Sequence, residues 1–343
     1  MKTVIYKRKR WSVALVVLLV FSLSLMSGCS KQTTDNNSIS VESTQLNMVA
    51  GTSGGVWYIG MGAIGKLYSD NYPGTTVNLL AGGSSGNPLR LESGETDFSI
   101  TQHTMAVAAA KGQEPYKKAT QNVSSIINLK DITRLNIVVR DDVPIYSIED
   151  ILEKKYPLKL AHGPVGTVSE VFGRWAFEEY GVGFKDITSW GGKLFANNYN
   201  DVASLFQDGQ IDMFFWTGPG EAGFIQETAS GTKLRWLPVK EEVINTLAEK
   251  YGLNKGTIPA QFYGGAVGTE TPCVIDATEL IVRKDLQEEI VYNLTKVICE
   301  NKDDIVLAYS AWNTFDPETA WQDLGLPLHP GAEKYYKEKG WIK

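Results

Sequence analysis

MVAGTSGGVWYIG, residues 48–60, holds the first decision about this chain. An apolar strand end runs into Gly51-Thr52-Ser53-Gly54-Gly55 and then into an apolar helix start. The turn fits G-x-S-x-G, which presents a nucleophilic serine on some folds. It also fits a strand, glycine turn and helix whose first amides hold a small anion. A serine nucleophile needs a histidine base and an acid that orients it. His329 comes late enough for the order Ser, acid, His, but it sits in LPLHPG. GGSSG at 82–86 matches the same pattern, so the pattern alone discriminates little. The ligand cradle uses the residues better. Glycines let the backbone approach a ligand closely, and the free amides of a first helical turn favour a carboxylate.

Outward from this stretch the rhythm repeats. QLNMVA (45–50), TTVNLLA (75–81) and TDFSI (96–100) read as strands, separated by helical spacing over 55–70 and a short helix through NPLRLESG. A helix over 105–112 and a strand at 132–140 follow. After Arg140 a second unit starts, with helices over 147–154 and 168–180 and strands at LKLAHG and IDMFFW. TPCVIDATELIVRK (271–284) is a long apolar run able to return to the first unit, and the chain from Asp285 is helical. This alternation predicts α/β architecture: lobe I over 45–142 plus 273–343, lobe II over 143–272, and a ligand cleft between them. Ligands in such sheets sit beyond the carboxyl ends of the strands. There the chain is rich in Gly, Ser and Thr and has no Arg or Lys: 51–55, 82–86, 101–104, 163–169 and 216–220.

The N-terminus reads as a secretory leader. Lys2, Lys7, Arg8, Lys9 and Arg10 precede an apolar run, which ends at Leu25-Met26-Ser27-Gly28-Cys29. This resembles a bacterial lipobox: a signal peptide over 1–28, then Cys29 lipidated and anchored to the cell membrane. Residues 29–44 are polar and read as a flexible tether. Loss of the leader removes five positive charges and no negative ones, so the formal charge of −6 becomes −11. That balance argues against nucleic acid as a partner. Cys273 and Cys299 remain, paired or free. His103, His162 and His329 are far apart and show no metal-ligand spacing, so neither metal nor cofactor is expected.

Several stretches carry a family resemblance. AGTSGGVWY, AGGSSGNPLRLESGETDFSITQ, LFQDGQIDMFFW, GTIPAQFYGG and LGLPLHPGAEKYYKEKGW stand in this order over about 45–343. Together they resemble the TAXI-type solute receptors of TRAP transporters. The resemblance implies a type II periplasmic-binding-protein fold and binding without chemistry. It also implies delivery of a glutamate-like amino acid or a dicarboxylate such as 2-oxoglutarate to membrane subunits driven by an ion gradient. The chain departs from the family at Trp57, at His103-Thr104 and at Val168. A sensor of the same fold, docked to a signalling protein, fits the sequence equally; a secreted hydrolase is the remote alternative.

The expected ligand contacts follow from the loops. Thr52, Ser53 and Gly54 supply hydroxyls and amides, and Trp57 and Tyr58 an apolar wall. Gly83, Ser84 and Asn87 come from the second loop, and Gln102 and His103 from the third strand end. Gly166, Thr167 and Ser169 offer an opposed helix N-terminus. Trp216 and Thr217 end the strand 211–215.

Overall fold

The computed structural model describes residues 44–53, 55–196 and 198–343. The leader, Cys29 and the tether up to Ser43 lie outside the described residues, as does Gly54. The first part of the chain runs β1 (Thr44–Val49), α1 (Val56–Asn71), β2 (Thr75–Leu80), α2 (Asn87–Glu92), β3 (Phe98–Gln102), α3 (His103–Lys111) and β4 (Val123–Asn128). It continues through β5 (Thr133–Arg140), α4 (Glu149–Glu153), β6 (Lys159–Ala161), α5 (Val168–Glu179), α6 (Phe184–Ser189), β7 (Lys193–Phe195) and α7 (Tyr199–Gln207). Next come β8 (Met213–Pro219), α8 (Gly223–Gly231), β9 (Leu234–Trp236), α9 (Glu241–Tyr251), β10 (Asn254–Ile258) and β11 (Thr271–Asp276). The last part holds β12 (Thr278–Arg283), α10 (Glu288–Glu300), α11 (Lys302–Ala308) and α12 (Pro330–Glu338).

Two sheets result. The first has the order β2-β1-β3-β12-β4, with β1 parallel to β2 and β3, and β12 antiparallel to both neighbours. Its core gathers Met48, Phe98, Ile127, Leu280, Trp312, Tyr335 and Tyr336. The second has the order β10-β11-β5-β8-β6-β7, with β9 on β5. It is packed on both faces by strand alternation. Leu135, Ile137, Val139 and Phe215 enter one core, while Val138, Phe214 and Trp216 enter the other.

The chain passes between sheets twice, at 129–132 and at Ala277. The sequence had set the crossings near 142 and 273. β5 joins the second sheet because it pairs with β8 from Thr133↔Pro219 to Val139↔Met213. β11 joins it too, through Ile275↔Arg134 and the full length of β10. The long apolar run at 271–284 is therefore split between the sheets.

Sequence reading passed over β4, because Ser124 and Ser125 interrupt its apolar pattern. Both serines are buried. The C-terminal segment covers this edge: Ser125 N donates to Pro327 O at 3.1 Å and His329 N donates to Ser125 O at 3.0 Å. Cys273 and Cys299 are free and buried in different cores, one on β11 and one on α10.

Candidate functional site

The first lobe presents its strand ends as one braced surface. Gly82 N donates to Gly51 O at 3.0 Å, joining the loops after β1 and β2. Asn87 then ties three segments together. Its amide nitrogen donates to Ala50 O at 2.9 Å and to Ile100 O at 2.8 Å, and its oxygen accepts from Gly83 N at 3.1 Å. Asn87 is fully buried. The sequence made it a ligand contact; here its side chain is spent on the scaffold, and it shapes the loop instead. Gly82 must lack a side chain, since a Cβ would come within 2.3 Å of the Asn87 oxygen. Thr101 Oγ1 donates to Ser84 O at 2.9 Å, holding that loop against β3. Gln102, the last residue of β3, is 1% exposed and its Oε1 has no partner.

The opening turn is a cradle in part. Thr52 and Ser53 are exposed, and Gly55 N closes the turn on Thr52 O at 2.9 Å. Gly55 caps α1 with no side-chain hydrogen bond and no acidic residue in the first turn. That leaves the positive end of the helix dipole without an acidic side chain in its own first turn. Trp57 packs over Gly51, and both it and Tyr58 lean on the first core. The Tyr58 hydroxyl points to Leu79 O at 3.5 Å.

The second lobe is built differently. His162 follows β6, is 6% exposed, and stacks on Phe184 at 5.1 Å between centroids. Its Nδ1 has no partner, and burial lowers its pKa, so the ring is neutral near neutral pH. The turn after it bends at Gly163, at φ +83°, directly over the Tyr199 hydroxyl. That hydroxyl also lacks a formed hydrogen bond.

The start of α5 was expected to mirror the start of α1. Instead Thr167 caps it, accepting from Glu170 N at 3.5 Å and donating to Pro164 O at 2.8 Å. The Glu170 carboxylate accepts from Gly166 N at 3.3 Å and from Arg174 Nε at 2.7 Å. This helix end already holds its own anion, so Thr167 is a cap and not a free donor. Ser169 is likewise engaged, its Oγ accepting from Thr217 N at 2.7 Å. Thr217 Oγ1 is buried and unpartnered. Trp216 packs edge-on to Phe224 at 6.2 Å, over the space left by Gly218.

The two surfaces meet. Ser85 Oγ donates to Gly166 O at 2.7 Å and Ser85 N donates to the same oxygen at 3.3 Å. Gly83 lies beside this joint. Hydrogen bonds thus join Thr101 to Ser84, Ser85 to Gly166, and Ser169 to Thr217. Beside them Gln102, His162, Tyr199 and Thr217 keep buried polar atoms without partners, and buried polar atoms are normally paired. His103 turns elsewhere: the half-buried ring faces the Asp323 backbone in the C-terminal segment, and burial lowers its pKa. His329 caps α12 through Nδ1, which accepts from Gly331 N at 3.1 Å, and its Nε2 lies 3.2 Å from Lys284 O. It is not available as a base for Ser53. The sequence reading missed Tyr199 and Glu170; the T-x-x-E spacing of Thr167 and Glu170 was the signal for the latter.

A family model described as NMT1-like family matches residues 48–340. The chain belongs to the NMT1-like family. The match spans both sheets and every loop of the site. Among solved structures, PhnD1 from Prochlorococcus marinus in complex with methylphosphonate is similar at 13% identity and a TM-score of 0.51, covering 87% of this chain and 99% of that one. MatC from Rhodopseudomonas palustris with bound malate is similar at 13% identity and a TM-score of 0.49, covering 87% and 97%. The periplasmic aliphatic sulphonate binding protein SsuA from Escherichia coli is similar at 14% identity and a TM-score of 0.44, covering 86% and 83%. The fold is the two-lobed type II periplasmic-binding-protein fold that the sequence led us to expect.

Proposed function

We propose that this chain is an extracytoplasmic solute receptor that captures a small carboxylate between its lobes. The observation that carries this is the interlobe joint, Ser85 to Gly166, with buried, unpartnered polar atoms from both lobes beside it. A ligand would supply their missing partners. The two helix ends then divide the work. The start of α1 lacks an acid and suits a carboxylate. The start of α5 holds Glu170, which disfavours a second anion there. A glutamate-like amino acid, which brings hydrogen-bond donors as well as a carboxylate, fits this asymmetry better than a dicarboxylate such as 2-oxoglutarate. No reaction on the ligand is proposed, and engagement of His329 as a cap weakens the hydrolase alternative.

The proposal extends to the cell surface. The leader, the lipobox-like stretch and Cys29 support a lipid anchor with residues 29–44 as tether. The resemblance to TAXI-type receptors supports delivery to TRAP transporter membrane subunits. The lobes follow the sheets: about 44–129 with 278–343, and 133–276. The test is thermal unfolding of the chain against amino acids, dicarboxylates, keto acids and sugars. Ligand at a hundredfold excess over Kd stabilises by about 2.7 kcal/mol. A shift with glutamate supports the reading. No shift with any compound, and no small molecule released on denaturation, refutes it.

A further inference from the structure

We propose that Asp131, Asp276 and Glu279 form a proton-linked switch at the two crossovers, so that the lobes close with uptake of protons. The inference rests on the two-lobed reading above and adds a regulation to it. Asp131 lies in the first crossover; Asp276 and Glu279 flank Ala277 at the second. All three are nearly or fully buried, at 1%, 4% and 1% exposure.

Their partners are backbone amides. Asp131 accepts from Thr278 N at 2.8 Å, and Asp276 from Thr104 N at 3.1 Å and Ala277 N at 2.8 Å. Glu279 accepts from Gly325 N at 2.9 Å. Asp131 Oδ2 and Glu279 Oε1 accept nothing. The Trp312 indole faces Asp131, the Thr104 hydroxyl faces Asp276 and the Ser125 hydroxyl faces Glu279, each too loosely for a hydrogen bond.

Among the described residues, no Lys or Arg side chain bonds to any of the three. Lys130, next to Asp131, donates to Thr319 Oγ1 at 2.8 Å, and Arg134 donates to the carbonyls of Thr257 and Ile132. The other titratable groups around the cluster are Tyr309, whose field includes Asp131, and His103, which faces Asp323. A buried carboxylate with an empty oxygen and no counter-charge favours its protonated form. Burial, the largest cause, pushes Asp131 up to about 6, Asp276 to about 7 and Glu279 to about 8. The charges of Asp131 and Asp276, and of Asp276 and Glu279, also raise one another.

The cluster lies where the lobes must turn. Thr104 opens α3, which belongs to the first lobe, while its neighbour Met105 packs in the second lobe's core. Opening the lobes parts α3 from β11 and lets water reach Asp276. Hydration lowers a carboxyl pKa. A group whose pKa is higher in the closed form takes up a proton on closing. Closure is therefore favoured most at low pH, below the ordinary carboxylate range of about 4, and that preference is lost as pH rises from there through the closed-form values of about 6, about 7 and about 8.

The experiment uses the full chain in detergent with no solute added. Leu89→Cys and Val165→Cys, exposed positions beside the joint on opposite lobes, carry spin labels, with Cys29→Ser to avoid a third. Pulsed spin resonance then reads the distance between lobes. The expected result is one short distance at about pH 5 and a growing longer population by about pH 9. Asp276→Asn with Glu279→Gln should hold the short distance at both. A distance independent of pH in a chain still folded by circular dichroism overturns the proposal. So does a double variant that keeps the unmodified pH response. If the double variant does not fold, the pH series on the parent chain decides alone. Since no solute takes part, failure here is separate from failure of the receptor reading.

Discussion

Asn87→Ala separates scaffold from ligand contact. The substitution removes one acceptor and two donated bonds from a fully buried position, leaving Ala50 O and Gly83 N unpaired, while Ile100 O keeps the Ser99 hydroxyl at 3.2 Å. A buried group left unpaired costs about 1–3 kcal/mol. The loop is near the cleft, so water reaches part of the vacated space, and the lower figure applies to each group. The sum over the two groups is about 2 kcal/mol. For a chain of this length that lowers the melting temperature by about 4 °C. The assay is calorimetry of the ligand-free protein, so the ligand's identity is not needed. Asn87→Asp is the companion variant: it keeps the acceptor for Gly83 but faces the carbonyls of Ala50 and Ile100 with a carboxyl. It should melt no higher than the alanine variant. If Asn87→Ala melts within about 1 °C of the parent yet loses ligand, the brace is wrong and the sequence-based assignment of Asn87 to the ligand is right.

Ser85→Ala removes the 2.7 Å bond to Gly166 O and should weaken ligand binding about fivefold, on a typical net of about 1 kcal/mol; calorimetric titration that shows unchanged affinity would remove this bond from the closed state. Glu170→Gln takes the anion away from the start of α5, and a helix-end charge is worth about 1 kcal/mol. The ratio of 2-oxoglutarate to glutamate affinity should rise about fivefold, and a constant ratio would mean that Glu170 does not select the ligand. Cys273 and Cys299 are buried, and burial pushes both thiols up to about 12. Neither should react with a thiol reagent in the folded protein, while both should react in denaturant without prior reduction. A missing pair of thiols in denaturant would show a disulfide after all.

Much of the fold was legible because its signals are local. The strand, glycine turn and helix units at 45–110 follow from periodicity and from where glycine is needed. Residues whose partners lie far away could not be read. The serines of β4 look like loop residues until the segment at 327–329 covers them. Asn87 looks like a ligand contact until Ala50 and Ile100 arrive to use its amide. The second helix start looks open until Glu170 folds back on Gly166, although the spacing of Thr167 and Glu170 carried that hint.

By itself the sequence determined two α/β units, glycine-rich loops beyond their strands, and an acidic composition. These depend on backbone preference and on apolar spacing over a few residues. Only the tertiary structure decided where the lobes exchange strands, which side chains the scaffold consumes, and that three buried carboxyls lie at the crossovers. Those depend on contacts between segments up to two hundred residues apart, where burial and the supply of hydrogen-bond partners are set by the whole fold.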